Sequence, residues 1–231
     1  MTSKRANYLG TFFGYFPSIL CALVALVFAG APCAQAQTIL GPAVSMATLT
    51  NSGADLLVGD KDFTDFTISG SFQASQVTVT PIQEPNGDFG IRFGGTFVAS
   101  NSALDMILGY QVSVTNSPNL ISVANLSFDG QVTSGTGLAQ VVEQVFTNGG
   151  FYGQMSVFAT ASTNQLTASL AIIPPQSSLD ISKDVILTAT LPANSSISEI
   201  DQTFTQVPEP GTLALVAVGF SGLFLLQRRR Q

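Results

Sequence analysis

The sequence predicts an all-β domain, an antiparallel β-sandwich or jelly roll, spanning residues 37–206. Three observations predict it. Apolar and polar residues alternate with a period of two over 76–80, 89–93, 108–114, 166–172 and 181–191, as in strands with one buried and one wet face. The polar partners are mostly Ser, Thr, Gln and Asn rather than charges, and β-branched Thr suits strands. Turn residues recur about every ten positions, the rhythm of a sandwich built from many short strands.

In chain order, Asn51 and Gly53 mark a first turn, and strand 76–80 runs to a turn at Pro85, Asn86, Gly87 and Asp88. Strands 89–93 and 108–114 follow, then turn residues at Asn116 and Pro118 and again at Asp129-Gly130. Over 138–146, Val141, Val142, Val145 and Phe146 fall at helical spacing, but the β-branched content and Gly-rich flanks favour a strand. Asn148, Gly149 and Gly150 make the next turn, and Pro174-Pro175 the one after strand 166–172. In 181–191, Ile181, Val185, Leu187 and Leu191 share one face, before a turn at Pro192 and Asn194. Eleven of the seventeen Phe lie between Phe63 and Phe204 and are expected to fill the space between two sheets. Burying each is worth about 1.5–3 kcal/mol, and about 170 residues can enclose such a core.

Charge is sparse and unevenly placed. Thirteen of the fourteen acids lie in 37–206 against Lys61, Arg92 and Lys183, a net charge of about −10. That argues against a nucleic-acid partner, whose phosphates need Lys and Arg. The chain has no His, and Cys21 and Cys33 both precede the domain. A Ser-His-Asp triad, a Cys-His dyad and His- or thiolate-ligated metals are therefore excluded within it. A Ser-Lys arrangement would need Lys61 or Lys183, and neither sits in a recognisable motif. Two-carboxylate glycoside hydrolysis requires only acids, but no spacing singles out a pair, and the expectation is a domain that is not an enzyme.

The two ends read as delivery segments. Lys4 and Arg5 precede an almost wholly apolar stretch, 12–31, and Ala34-Gln35-Ala36 supplies the small residues of a signal-peptidase site. Residues 1–36 are expected to be a signal peptide cut after Ala36, taking both cysteines with it. At the other end Pro208-Glu209-Pro210 precedes an uncharged apolar stretch, 212–226, and then Arg228, Arg229 and Arg230. Fifteen helical residues span about 23 Å, short of the hydrocarbon core of about 30 Å, so this helix would cross the inner membrane only with help from its flanks. Basic flanks stay cytoplasmic, which places everything between the ends outside. The prolines would keep 207–210 extended, unpaired and open to a protease.

This order of Pro-Glu-Pro, apolar helix and Arg cluster resembles the PEP-CTERM sorting signal of Gram-negative bacteria. The resemblance covers residues 207–231. It implies recognition by the membrane peptidase exosortase, cutting near Pro208-Glu209-Pro210, and delivery from a transient membrane anchor to the cell surface or the extracellular matrix, where exopolysaccharide would be a neighbour. Val58 to Phe63 and Ile200 to Val207 also resemble the bodies found ahead of such tails, which adds no activity.

Within the domain the acids Asp55, Asp60, Asp62 and Asp65 are the sharpest local cluster. Hard oxygen ligands at alternate positions suit Ca²⁺, with Asp60, Asp62 and Asp65 as the candidate ligands. The stretch lacks the Gly and distal Glu of an EF-hand and has Lys61 inside it, so a solvated acidic turn is the stronger expectation. A carbohydrate platform would want exposed aromatics, and past residue 36 the chain has no Trp and only Tyr110 and Tyr152. The reading that results is a structural or adhesive surface protein, with a carbohydrate- or calcium-binding module as its alternative.

Overall fold

A computed structural model describes residues 40–208 apart from Asn116 and Ser134. The expected signal peptide with Ala34 and Ala36, the apolar stretch 212–226, Glu209, Pro210 and Arg228–Arg230 lie outside the described residues, as does the turn residue Asn116.

The alternation predicted from the sequence is realised as eleven antiparallel strands. They are β1 (Val44–Ser45), β2 (Leu56–Val58), β3 (Lys61–Gly70), β4 (Thr78–Gln83), β5 (Phe89–Val114), β6 (Asn119–Val132), β7 (Thr136–Thr147), β8 (Gly150–Ala159), β9 (Asn164–Gln165), β10 (Thr167–Gln176) and β11 (Ser178–Pro208). One helix of seven residues, α1 (Met46–Ser52), was not anticipated. Ser45 caps it by accepting from the Ala47 N–H at 3.3 Å, and Gly53 closes it in the left-handed region at φ 59°. Met46 and Leu49 seat it on the core.

Two long strands organise the molecule. β5 and β11 pair antiparallel from Ser178↔Ser113 to Phe204↔Phe89, with the ladder broken between Ala189 and Asn194. Before the break β11 lies between β5 and β7; after it β11 lies between β5 and β6. The break divides the sheet into two layers. One holds β2, β3, the end of β5, the start of β11, β7, β8 and β9; the other holds β1, β4, the start of β5, the end of β11, β6 and β10. Their inner faces share one apolar core that includes Phe63, Phe93, Phe97, Leu108, Val141, Val185 and Phe204.

Side-chain parity along the long strands decides what enters that core. On β11 the inward residues are Leu179, Ile181, Lys183, Val185, Leu187 and Ala189, then Ala193, Ser195 and Ile197. A register irregularity between Ile197 and Glu199 shifts the inward set to Ile200, Gln202 and Phe204. A one-residue shift exchanges the two faces of a strand, so this irregularity is what turns Gln202 inward.

Several sequence expectations need correction. Strands 89–93 and 108–114 are parts of one strand, β5, because β11 pairs with it on both sides of the break. Asp129-Gly130 is no turn but the inside of β6, paired with Glu199 and Ile197. At Pro174-Pro175 the chain stays extended in β10; pairing with β6 is interrupted between Ala171 and Gln176, as expected of residues without an N–H. Residue 76 belongs to a 3₁₀ turn, Ala74–Gln76, rather than to a strand. Leu191 is 68% exposed, because it sits at the break in β11 instead of continuing the inward series. The turn at Asn148 and Gly149 does form, with φ 50° and 77° between the paired Thr147 and Gly150, the geometry of a tight hairpin.

Pro208 is also paired, opposite Asn119 of β6. It is tolerated because pairing to β5 ends at Phe204, leaving the last residues of β11 with one free side. The body's final strand therefore runs into the Pro208-Glu209-Pro210 motif, and Val207 and Pro208 share the body's strand instead of standing apart as an unpaired segment.

Candidate functional site

The most unusual chemistry lies where the two layers face each other. Glu143 occupies the inward series Ala139, Val141, Glu143, Val145 of β7, and Lys183 the inward series of β11. The two are direct cross-strand partners, which places their Cβ atoms about 4.5–5.5 Å apart. Gln202 reaches them from the opposite layer after the register shift. The Lys183 nitrogen Nζ meets Glu143 Oε2 in a short contact and Gln202 Oε1 at 2.5 Å. All three residues are fully buried.

The cluster is incompletely satisfied. Glu143 Oε1, Gln202 Nε2 and the Tyr110 hydroxyl have no hydrogen-bond partner among the described residues. Burial pushes the Glu143 carboxyl up, opposed by the Lys183 charge and by hydrogen bonding. Burial likewise pushes the Lys183 amine down, opposed by Glu143. Both directions favour the neutral acid and the neutral amine, because the core solvates neither charge. Tyr110 is raised well above its ordinary value by burial and then by Glu143. Its ring packs among Phe66 at 5.8 Å, Phe93 at 5.7 Å and Phe63 at 5.9 Å between centroids. An amine, a carboxyl and a carboxamide thus meet in an aromatic, water-excluding interior.

Alternation could have disclosed Lys183 and Glu143, since each interrupts an apolar series at an inward position. Gln202 could not have been found that way, because its facing depends on the register shift.

The acids singled out in the sequence are dispersed. Asp60 is engaged by Lys61 at 3.0 Å, and Lys61 is itself buried over the Phe89 ring at 5.5 Å. Asp65 is exposed with φ 54°. Asp62 Oδ1 is buried with no hydrogen-bond partner among the described residues, and burial, then the charge of Asp55, raises its pKa. Among the described residues no group of three acids is close enough together to hold a metal ion.

The sign of the Asp62 shift gives a stability test. A raised folded-state pKa favours folding below the ordinary carboxylate value and is lost as pH rises through the folded value. Ionised Asp62 is therefore unfavourable at neutral pH. Asp62→Asn is expected to raise the Tm at pH 7, and the gain should vanish on acidification below the ordinary aspartate value of 3.8; an unchanged or lower Tm at pH 7 would contradict this.

On the outer face of the second layer an open groove of about 320 Å³ is lined by Asn125, Ser127, Ser169, Asp201, Thr203 and Thr205, among others. Its side chains already engage one another. Ser169 donates to Asn125 at 2.8 Å and Asn125 to Thr205 at 3.2 Å. Arg92 grips Asp201 through two bonds of 2.7 and 2.8 Å and also pairs with Glu199 at 3.0 Å. No aromatic residue lines it. Tyr110 is in the core, and the Tyr152 hydroxyl is bonded to the backbone of Ala171 and Ile173.

Residues 206–230 match the family model of the PEP-CTERM protein-sorting motif. No curated protein matches the chain. Among solved structures, 22 chains match. One is TmCBM61 in complex with beta-1,4-galactotriose, at 13% identity over 61% of this chain and 88% of that one, with a TM-score of 0.32. Another is the enzymatically active domain of bacteriophage CBA120 tailspike protein 4, at 11% identity over 70% of this chain and 21% of that one, with a TM-score of 0.26. A third is a family two carbohydrate esterase from Cellvibrio japonicus, at 12% identity over 63% and 36%, with a TM-score of 0.23. At these scores none carries an argument about ligand or activity.

Proposed function

We propose, from the premise that this chain carries a PEP-CTERM sorting motif at residues 206–230, that the β-sandwich is a non-catalytic structural or adhesive component of the cell surface or extracellular matrix. The motif implies export and surface sorting, with exosortase as the partner that reads it. The observation that carries the finer reading is the continuity of body and motif: β11 ends at Pro208, inside the matched segment. A sandwich whose own last strand is the attachment point is suited to being set down as a rigid block. Signal peptidase would act at Ala34 and Ala36, and the apolar stretch 212–226 would anchor the chain in the inner membrane until Pro208-Glu209-Pro210 is processed. Among the described residues no helix is long and apolar enough to cross a membrane.

The test is fractionation of the full chain in a host with and without exosortase. The wild type is expected at the surface or in the medium only when exosortase is present. Replacing Pro208, Glu209 and Pro210 with alanine is expected to leave it in the inner-membrane fraction. Surface delivery unaffected by both changes would refute the reading.

A second reading, a carbohydrate- or calcium-binding module, is favoured by the polar groove on β6, β10 and β11 and by the unpartnered Asp62 oxygen. It predicts glycan-array binding lost in Asn125→Ala, or a calcium-dependent rise in Tm lost in Asp60→Asn/Asp62→Asn. A flat response to glycans and to calcium would dismiss it.

A further inference from the structure

The sorting motif does not account for the buried Lys183, Glu143 and Gln202 cluster. A structural core gains little from it: removing an amine and a carboxyl from water is costly, and apolar residues would fill the same space without that cost. The cluster also leaves a carboxyl oxygen and an amide nitrogen unpaired, which an ordinary buried network avoids. The three groups bring together a nucleophile, an acyl group and a proton-transferring acid. The Lys183 Nζ lies 2.5 Å from the carbonyl oxygen of the Gln202 carboxamide and touches Glu143. Attack requires the amine to move from this oxygen to the adjoining carboxamide carbon, a displacement within one side chain's reach.

We propose that Lys183 and Gln202 join in an intramolecular isopeptide bond, formed with Glu143 as the proton-transferring group, that covalently staples the two layers of the sandwich. The neutral Lys183 amine attacks the Gln202 Cδ, forming the new C–N bond while the carbonyl electrons move onto Oε1. The Glu143 carboxylic acid supplies a proton to that oxygen. The proton lost by the Lys183 nitrogen passes through Glu143 to Nε2. As the tetrahedral centre collapses, the Cδ–Nε2 bond breaks, the carbonyl reforms and the Oε1 proton returns to Glu143. One ammonia leaves and Glu143 returns to its starting state. Nothing is oxidised or reduced, and no cofactor is required.

The setting supplies what the step needs. Burial shifts the amine toward its nucleophilic form and the carboxyl toward its proton-donating form, each opposed by the other's charge. The strand register and the irregularity at Ile197–Glu199 hold the reacting groups together before reaction. Water, which would solvate the amine and compete for the carbonyl, is excluded by the surrounding core that includes Tyr110, Phe93 and Phe204.

The test is mass spectrometry of the full chain after folding and denaturation, with its processed ends defined by peptide sequencing. The wild type is expected one ammonia lighter than its sequence. Cleavage before Asp184 and Asp201 should then leave the segment containing Lys183 joined to the segment containing Gln202. Lys183→Arg, Gln202→Met and Glu143→Gln are each expected at full mass with two separate segments. A wild type at full mass overturns the proposal without any variant. So does a chain one water lighter with Lys183 joined to Glu143, because the bond would then be a different one. A Glu143→Gln chain as fully joined as the wild type would overturn the role given to Glu143. None of these results depends on where the chain is sorted, so this inference and the proposed function fail separately.

Discussion

Lys183→Ala is expected to destabilise the body by about 3–5 kcal/mol, the cost of removing one member of a buried polar pair and leaving the other without its partner. Lys183 is fully buried and contacts both Glu143 and Gln202, so its removal strands a carboxyl and a carbonyl in the core. Against a total of about 5–15 kcal/mol for a native domain, that loss is large. The variant should show a distinctive pH dependence. Lys183 is what opposes the burial-driven rise of the Glu143 pKa, so without it the folded-state value climbs further. A raised value favours folding below the unfolded carboxylate pKa and is lost as pH rises through the folded value. Lys183→Ala is therefore expected to recover much of its deficit at about pH 4 relative to pH 7. Urea unfolding at the two pH values measures this. The double variant Lys183→Met/Glu143→Leu, which leaves no buried carboxyl without a partner, should lose less than the single one. Equal deficits at both pH values would show that Glu143 is not the destabilised group.

Phe63→Ala is expected to cost about 3–5 kcal/mol through the cavity it leaves. Phe63 is wholly buried and lies within 5.9 Å of Tyr110 and 6.1 Å of Phe204, so it joins strands of both layers. Phe151 is the control. It is 60% exposed at the β7–β8 hairpin against Phe146, and Phe151→Ala should stay within about 0.5 kcal/mol. A thermal or denaturant melt that gave both variants the same loss would contradict the assigned core.

The hairpins show how far local rules reach. Asn148 and Gly149 turn because both tolerate positive φ, and that preference belongs to the residues themselves. Pro174 and Pro175 looked like an equally strong turn, yet they lie in an extended strand. Proline forbids an N–H bond but not an extended backbone, and β10 accommodates the pair with a gap in its ladder. Asp129-Gly130 misled for a related reason: β11 offers partners along that part of β6, and the ladder outweighs the turn preference.

The same division runs through the candidate site. The acids at Asp55, Asp60, Asp62 and Asp65 are neighbours in sequence, but only Asp62 and Asp65 lie on a strand, with a register irregularity between Thr64 and Thr67, and Lys61 takes Asp60. Alternation also determined that Lys183 and Glu143 point inward, because each stands in an apolar series with a period of two. The all-β class, the Phe-rich core and the sorting motif were likewise legible in the sequence, since each depends on residue type and spacing alone. Only the tertiary structure decided that Glu143 lies opposite Lys183, that β11 crosses from one layer to the other, and that Gln202 meets them from the far side. The register of paired strands and a one-residue irregularity depend on which segments meet, and no local preference encodes that.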